Sequence, residues 1–317
     1  MEKYNLDHNE EGRKKEPRRK RAEGNEFNKQ NGDENHNRRN FKKGNNKRLK
    51  GSDEIIQNKI NRRKTRQAPP EPKYDGTTRL NKYISNAGIC SRRDADKLIE
   101  AGAVTVNGEV ITVMGYRVKE GDVVSYAGRV LRSEPKRYFL LNKPKGYITT
   151  LDDPQERNTV MSLVQGCCRE RIYPVGRLDK NTTGLLLFTN DGEMAKRLTH
   201  PSSNIYKIYQ VECDRPVSNA DIKRMIEGIV LEDGPIAVDD VQYQGGQDRS
   251  IVGVALHSGR NRIVRRIFEH LGYEVKKLDR TCFAGLTKKD LARGRVRELT
   301  QQEVNYLMMI GGSPVKK

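Results

Sequence analysis

The segment GRLDKNTTGLLLFTNDG, residues 176–192, places a single carboxylate, Asp179, in a polar loop between two apolar strands. Loops held by rigid strands are common positions for catalytic side chains. The residues alone leave two interpretations open, a catalytic carboxylate or an aspartate that only shapes a turn. Neither a Ser-His-Asp arrangement nor the glycines of a phosphate-binding loop accompany it.

A second informative segment, RLNKYISNAGICSRRDADKLIEAGAVTVNGE, covers residues 79–109. Its first apolar residues recur at i, i+3, i+4 and i+7, which predicts an amphipathic helix. Ser91 lies three residues before Asp94, a spacing typical of a helix N-terminal cap. Asn107 and Gly108 predict a type I′ turn between two short strands. Five basic residues of this unit are candidates for RNA binding: Arg79, Lys82, Arg92, Arg93 and Lys97.

Composition narrows the possible partners. The chain has 317 residues with 61 Lys and Arg against 42 Asp and Glu, a net charge of +19. Hydrophobic residues make up 34% and no apolar run reaches the length of a membrane span, so neither a membrane segment nor a signal peptide is expected. The five cysteines form no C-x-x-C pair, so neither a disulfide framework nor a zinc site is expected. We therefore expect a cytoplasmic protein whose partner is anionic, namely nucleic acid.

The first 75 residues differ from the rest in composition. They hold 22 Lys and Arg against 13 Asp and Glu, together with 12 Asn and few large apolar residues. Such a segment buries too little apolar surface to offset the entropy of ordering, which predicts a disordered basic arm. Either weak, non-specific attraction to RNA phosphates or a role as a solubility tail fits this composition.

Three folded or connecting segments are predicted after the arm: an RNA-binding domain at 76–132, a linker at 133–137 and a catalytic domain at 138–317. The catalytic domain alternates strands with helices over short connections. A mixed, largely antiparallel sheet with flanking helices, an α+β fold, fits this better than a doubly wound sheet. Predicted strands cover residues 138–142, 174–178, 184–189, 205–212, 236–243 and 251–257. Predicted helices cover 192–199, 218–227 and 260–271, and a last helix is capped by Thr300 and Glu303.

The segment at 79–109 resembles the S4-type RNA-binding domain, a module found in ribosomal proteins and RNA-modifying enzymes. The segment at 176–192 resembles the catalytic motif of pseudouridine synthases, in particular the RsuA/RluB/RluE/RluF subfamily. Three further segments, in the same order as in that subfamily, are similar to its motifs: LNKPKGYITT (141–150), KIYQV (207–211) and HSGRNRIVRRIFEHLGYEV (257–275). An S4-type domain followed by a catalytic domain is the subfamily's arrangement.

The resemblance implies a reaction and assigns residues to it. Uridine becomes pseudouridine when its N1 glycosidic bond breaks and carbon 5 bonds to the sugar. Because the product is an isomer, no redox cofactor, ATP or metal ion is required. By motif position Asp179 is the nucleophile, and Tyr209 stacks on the target base and assists proton transfer. Whether Asp179 attacks the sugar or the base stays open.

The segment from Arg260 has a helical pattern of its own. At about 100° per residue its apolar side chains span an arc of about 140°, with Arg265 and Arg266 at the two borders. This geometry does not choose between the two arginines. The resemblance matches Arg265 to the arginine that pairs with the catalytic aspartate, where a positive charge stabilises the carboxylate. The remaining basic candidates for RNA contact in the catalytic domain are Lys143, Arg177, Arg260, Arg262 and Arg266.

The implied partner is ribosomal RNA or a pre-ribosomal particle, with large-subunit RNA favoured on general similarity to the subfamily. A monomer is expected. The alternative is a non-catalytic RNA-binding or ribosome-assembly protein that keeps the same fold. The presence of both Asp179 and Tyr209 favours the enzyme.

Overall fold

A computed structural model describes residues 76–310 of the chain. The predicted basic arm, residues 1–75, and the last seven residues lie outside the described part. No helix within residues 76–310 is long and apolar enough to cross a membrane.

The N-terminal part packs two helices against small antiparallel sheets. The helices are α1 (Leu80–Asn86) and α2 (Arg92–Glu100). The strands are β1 (Thr78–Arg79), β2 (Val104–Val106), β3 (Glu109–Val110), β4 (Arg117–Val118), β5 (Val124–Tyr126) and β6 (Arg129–Val130). Strands β3, β2, β5 and β6 form one sheet in that order, and β1 pairs with β4. Apolar side chains of α1 and α2 meet those of β2 and β5 in a common core.

Two local predictions for this part are confirmed. The backbone N–H of Asp94 donates to Ser91 Oγ at 3.2 Å, so Ser91 caps α2. Asn107 and Gly108 have φ angles of 53° and 85°, the left-handed conformations that a type I′ turn requires.

The second part contains a nine-stranded sheet with helices packed on it. Its helices are α3 (Met161–Val164), α4 (Gly192–Thr199), α5 (Asn219–Glu227), α6 (Ile263–His270) and α7 (Gln301–Ile310). Its strands are β7 (Tyr138–Lys143), β8 (Tyr173–Pro174), β9 (Thr183–Thr189), β10 (Lys207–Cys213), β11 (Ile229–Leu231), β12 (Gly234–Ile236), β13 (Asp240–Gly245), β14 (Asp248–Leu256), β15 (Val275–Phe283), β16 (Leu286–Thr287) and β17 (Val296–Glu298). The main sheet runs β13-β14-β10-β15-β9-β7-β17, with β16 added beside β15 and β8 beside β9, while β11 and β12 form a separate hairpin.

The predicted α+β class is confirmed, and the described sheet is mixed and largely antiparallel. Of its pairings, β9 with β15 is parallel, whereas the other strand pairings of this sheet are antiparallel. The helix at 192–199 is confirmed, as are the N-terminal caps Ser218 and Thr300.

Several elements differ from their predictions, among them the strand predicted at 174–178, of which only Pro174 lies in a strand, β8. The helix predicted from Arg260 begins at Ile263, because Arg262 has a left-handed φ of 47° and cannot belong to a right-handed helix. The strand predicted at 236–243 is divided between β12 and β13. The nine-residue strand β15 was not predicted.

The central strand β9 explains how the fold supports the loop that precedes it. Leu185 and Leu187 pack into the core on one face of the sheet, and Leu186 and Phe188 pack into the core on the other. A strand buried on both faces is apolar throughout, as this one is. The loop carrying Asp179 therefore leads directly into one of the most deeply buried strands of the described fold.

Candidate active site

The loop before β9 presents Asp179 with a partly exposed side chain, 34% accessible. Thr182 N–H donates to the carbonyl oxygen of Asp179 at 3.0 Å, which closes a tight turn. Thr149 Oγ1 donates to the carbonyl oxygen of Leu178 at 2.9 Å, and Gly146 N–H donates to that of Lys180 at 2.9 Å. The segment 141–150 therefore holds the backbone on both sides of Asp179, while the carboxylate remains accessible.

Lys143 lies beneath this loop, and its assignment to an RNA-contacting surface was wrong. Its side chain is fully buried. Its Nζ donates to the carbonyl oxygens of Thr182 at 2.8 Å, Asp179 at 3.2 Å and Lys180 at 3.3 Å. Burial lowers the pKa of Lys143 to about 8, Asp179 opposes this shift, and Arg293 adds to it. Lys143 is thus an internal cation that fastens the Asp179 loop.

Two arginines of the turn that opens α6 lie near Asp179. Arg262 Nη1 lies 3.8 Å from Asp179 Oδ2, and the Arg262 side chain is 47% exposed. Arg265 is half-buried and donates from Nη1 to the carbonyl oxygen of Val275 at 2.9 Å. Burial and neighbouring Arg262 lower the pKa of Arg265, whereas Asp179 and Glu269 act in the opposite direction. In this structure the predicted partner Arg265 interacts with Asp179 through electrostatics, and the direct ion pair is made by Arg262.

Tyr209 lies on β10, which is placed between β14 and β15 in the main sheet. It packs against the apolar cluster that contains Leu178, which precedes Asp179. It also packs against the cluster that contains Ile263, which follows Arg262. Tyr209 therefore packs on both apolar clusters. Across the sheet it is paired with Arg280, which is paired with Gly184, five residues after Asp179.

Comparisons with known proteins agree with this arrangement. The family described as "RNA pseudouridylate synthase" matches residues 137–270, and the S4 domain family matches residues 78–124. A protein of Aquifex aeolicus named "Uncharacterized RNA pseudouridine synthase" is 41% identical over 239 residues, which cover 74% of this chain and 95% of that protein. The chain belongs to the RNA pseudouridine synthase family.

Two further similarities extend over the same part of this pseudouridine synthase. A protein of Bacillus subtilis named "Ribosomal large subunit pseudouridine synthase B" is 41% identical over 232 residues, covering 72% of this chain and 95% of that protein. A solved structure titled "Crystal structure of pseudouridylate synthase" is 30% identical, with a TM-score of 0.53, and covers 72% of this chain and 99% of that one. The predicted resemblance to the pseudouridine synthases and to S4-type domains is confirmed.

Sequence reasoning missed a partly buried charge network beside the Asp179 loop of the synthase. Asp279 on β15 accepts hydrogen bonds from Thr183 Oγ1 at 2.7 Å and Arg293 Nη1 at 2.8 Å, and it pairs with Lys288. Arg293 Nη1 also lies 3.4 Å from the carbonyl oxygen of Lys143. Burial alone would raise the pKa of Asp279, but hydrogen bonds from Arg293, Lys288 and Thr183 outweigh it and lower the pKa to about 2. The network ties β9 and β15 to the segment after β16, at the base of the site.

The sequence offered a weak signal for this network. Asp279 stands in a strand that was not recognised, and its partners are distant in sequence, so no local spacing joins them. The Thr183 hydroxyl lies within the catalytic motif, but its partner becomes apparent only once β9 and β15 are paired.

The other predicted RNA-contacting residues of the synthase lie in different environments. Arg79, Arg92, Arg93, Lys97 and Arg177 are exposed. Lys82 pairs with Glu193 of α4, so this cation joins the N-terminal part to the catalytic part. Arg260 and Arg266 both contact Asp233 and keep only 26% and 23% of their side chains exposed.

No group of three or more His, Cys, Asp or Glu side chains that could hold a metal ion occurs within residues 76–310. Charged side chains that interact with Asp179 include those of Arg262, Arg265 and Lys143, which are hydrogen-bond donors and cations at neutral pH. Such a site can stabilise negative charge on a reacting group and can hold an RNA base against an aromatic ring.

Proposed function

We propose that this pseudouridine synthase isomerises a uridine of large-subunit ribosomal RNA, with Asp179 as the nucleophile. The observation that carries the assignment is the position of Asp179, an accessible carboxylate on a backbone fixed by Lys143, Thr149 and Gly146. The large-subunit substrate is supported by the relative of Bacillus subtilis, whose name specifies that RNA. The proposal places the enzyme in the cytoplasm with its substrate and has it act as a monomer.

The proposed reaction has two stages that balance without a co-reactant. The carboxylate of Asp179 attacks the uridine and the N1–C1′ bond breaks, which divides one difficult displacement into two easier steps. The base then turns, carbon 5 bonds to C1′, the bond to the Asp179 carboxylate breaks, and the proton on carbon 5 is lost as N1 gains one. The target base must first leave its stack, which costs a few kcal/mol. In this proposal Tyr209 stacks on that base and assists the proton transfer, and its packing on the cluster that contains Leu178 supports this role.

The arginines and the buried lysine support the carboxylate in this proposal. Arg262 and Arg265 offset its negative charge from the α6 side. Lys143 fixes the carbonyl oxygens of the loop, so that the carboxylate needs little reorganisation when the substrate arrives. Arg265 is proposed as the catalytic partner of Asp179, since it is the more buried of the two arginines.

The nucleophile is tested with Asp179→Asn, which removes the charge and keeps the shape of the side chain. Turnover is followed by tritium release from carbon 5 of labelled uridine in a ribosomal RNA fragment, and RNA binding is followed separately. We expect turnover to fall by at least about a thousandfold with RNA affinity unchanged within about twofold, because exposed cations away from the loop hold the RNA. The matched control is Asp152→Asn, since Asp152 is exposed and lies outside the motif.

Near-normal tritium release by Asp179→Asn would contradict the mechanism and leave the RNA-binding protein as the function. The substrate is tested by mapping pseudouridines in ribosomal RNA from cells that lack this chain. Loss of a pseudouridine from large-subunit RNA is expected. Loss from small-subunit RNA alone would contradict the assignment of the substrate.

A further inference from the structure

A two-residue turn between β11 and β12 holds the arginine-rich segment through one carboxylate. Arg266 donates to Asp233 with both terminal nitrogens, at 2.8 Å to Oδ1 and 3.0 Å to Oδ2. Arg260 Nη1 lies 3.4 Å from Asp233 Oδ1, and its guanidinium also donates to the carbonyl oxygens of Gly234 at 3.2 Å and Pro235 at 2.9 Å. We call Asp233, Arg260 and Arg266 the hairpin latch.

The hairpin latch encloses the segment that faces Asp179. Arg260 precedes Arg262 in the loop, and Arg266 follows Arg265 in α6. Arg266 Nη1 also lies 3.5 Å from the carbonyl oxygen of Asn261, within the same loop. Arg262 and Arg265, which both interact with Asp179, therefore lie between two residues that one carboxylate binds.

The turn into α6 has no side-chain cap of its own to fix it. Arg262 is the N-terminal cap position and makes no capping hydrogen bond. It also has a φ of 47°, a left-handed conformation that is strained for a residue with a side chain. Such a conformation persists only where the surroundings hold it, and it turns Arg262 toward Asp179.

The start of the same loop is anchored separately. His257 Nδ1 lies 2.9 Å from Asp239 Oδ1, and Lys207 Nζ donates to the carbonyl oxygen of His257 at 2.9 Å. These contacts fix the residue that follows β14. Within the next five residues, Arg260 N–H donates to Ser258 Oγ at 3.4 Å and Arg262 pairs with Glu269 at 3.5 Å, and the hairpin latch adds the contacts of Arg260 with the β11–β12 turn.

We propose that Asp233 is a positioning residue for the isomerisation, which holds the opening turn of α6 so that Arg262 and Arg265 face the Asp179 carboxylate. This inference rests on the proposed role of Asp179. Asp233 itself touches neither the substrate site nor Asp179 in the contacts described, and it acts through the two arginines that it binds.

A different role for the same residues is that Arg260 and Arg266 bind RNA phosphates and Asp233 competes with the RNA. The contacts favour positioning, because both guanidinium groups are already engaged by protein oxygens and three-quarters of each side chain is covered. The two roles predict changes in different quantities when the Asp233 carboxylate is removed. Competition predicts tighter RNA binding, whereas positioning predicts slower turnover at saturating RNA.

The test uses Asp233→Asn with Glu232→Gln as the matched control. Glu232 is the adjacent exposed carboxylate and is not a hydrogen-bond partner of either latch arginine in the contacts described, so both variants lose the same charge at the same place. Asp233→Glu keeps a two-oxygen acceptor for the Arg266 fork. Arg266→Lys keeps the positive charge but cannot make the two-point contact, and it decides the outcome if Asp233→Asn fails to fold.

We expect kcat of Asp233→Asn and of Arg266→Lys to fall by about tenfold or more, since a displacement of about 1 Å in a positioned group can cost that much. Glu232→Gln should stay within about twofold of the unaltered enzyme, KM and RNA affinity should change little, and Asp233→Glu should restore most of kcat. The double variant of Asp233→Asn and Arg266→Lys should be no slower than either alone, as for residues that act as a unit.

Equal kcat for Asp233→Asn and Glu232→Gln, or tighter RNA binding by Asp233→Asn at unchanged kcat, would overturn the proposal. The Asp179→Asn variant is measured in the same assay. If the unaltered chain turns over and Asp179→Asn does not, the proposed function holds whatever Asp233 does, so the two failures are distinguishable.

Discussion

Arg262 and Arg265 lie three positions apart at the start of α6, in different environments. The Arg262 side chain is 47% exposed, whereas Arg265 is half-buried and tied to the Val275 carbonyl oxygen. Charges interact more strongly where the effective dielectric constant is lower. At an equal distance, the half-buried Arg265 guanidinium therefore attracts the Asp179 carboxylate more strongly than the Arg262 guanidinium does. We expect Arg265→Met to lower kcat by about a hundredfold and Arg262→Met by less than about tenfold.

The two variants are each other's control, because each removes one guanidinium and the two residues lie three positions apart at the start of α6. Single-turnover rates at saturating RNA measure the chemical step, and filter binding measures affinity. A larger loss of rate in Arg262→Met would show that the ion pair at 3.8 Å is the important one and that the assignment to Arg265 is wrong.

Asp279 is the second residue whose charge has a predictable consequence. Its pKa is lowered from 3.8 to about 2, so the carboxylate stabilises the fold above pH of about 4 and this stabilisation is lost as the pH falls toward about 2. The shift corresponds to about 2 kcal/mol of unfolding free energy. Asp279→Asn leaves Arg293 and Lys288 without their partner and should lower the free energy of unfolding at pH 7 by about 3 kcal/mol.

Urea unfolding followed by circular dichroism at several pH values checks this prediction. The difference between the unaltered protein and Asp279→Asn should shrink by about 2 kcal/mol as the pH falls below about 4. The exposed control Asp152→Asn should show no such change. A difference that is independent of pH would mean that Asp279 is not the charged acceptor of this network.

At the scale of elements, the close pairing of β9 with β15 depends on one glycine. Gly184 has a φ of 106°, and a Cβ on it would lie 2.3 Å from the carbonyl oxygen of Arg280. Gly184→Ala should therefore lower the free energy of unfolding by about 3 kcal/mol or more, since β9 and β15 would have to separate. Gly166→Ala is the control, because Gly166 has a φ of 82° but no atom within 4 Å of its Cβ position.

Chemical unfolding of the two variants separates steric from conformational cost. Gly166→Ala should lose only about 1 kcal/mol, the usual cost of a left-handed residue with a side chain. Because Asp179 lies on the loop that enters β9, Gly184→Ala should also lose turnover while Gly166→Ala keeps it. Equal destabilisation by the two substitutions would show that the strands can adjust to the extra methyl group.

Elements were predictable where a short-range rule determines them. The caps Ser91, Ser218 and Thr300 each act on a backbone N–H three residues later, so the sequence shows both partners at once. Strand β15 has no alternation of polar and apolar residues because it lies inside the sheet and carries Asp279 and Arg280 between its apolar positions. The left-handed conformation of Arg262 also has no sequence signal, since nothing in the residue type requires it.

The sequence predicted the motif residues of the candidate site but not the buried lysine that holds the Asp179 loop. Asp179 and Tyr209 came from the resemblance, and Tyr209 packs on the apolar cluster that contains Leu178, the neighbour of Asp179. Lys143 was misassigned because lysine is almost always exposed, and the carbonyl groups that hold it come from residues 36 to 39 positions later in the chain. Its environment therefore depends on tertiary structure that no local pattern encodes.

At the scale of the whole molecule, two parts with different roles are connected by fixed contacts. Glu134 N–H donates to the carbonyl oxygen of Asn86 at the end of α1, and Arg137 N–H donates to Asn190 Oδ1 in the catalytic part. The pair between Lys82 and Glu193 adds a second connection. Exposed cations of the N-terminal part therefore keep a defined position relative to Asp179, which suits a protein that must hold RNA in one place and react in another.

Residues 1–75 carry a net charge of +9, almost half of the total of +19, and they lie outside the described residues. A chain that begins at Gly76 should still modify the same uridine, because the S4-type part and Asp179 are retained, but it should bind RNA more weakly. Each lost phosphate contact flattens the plot of log affinity against log salt by about 0.7 to 0.9, so the loss of three contacts would flatten it by about 2.

A full-length chain with Lys42, Lys43, Lys47, Arg48 and Lys50 changed to glutamine separates charge from length and should have an intermediate slope. Filter binding between about 50 and 200 mM salt gives the slopes, and mapping of pseudouridine in the product RNA gives the site. If the chain beginning at Gly76 modified a different uridine, the first 75 residues would take part in choosing the site, and charge alone would not explain them.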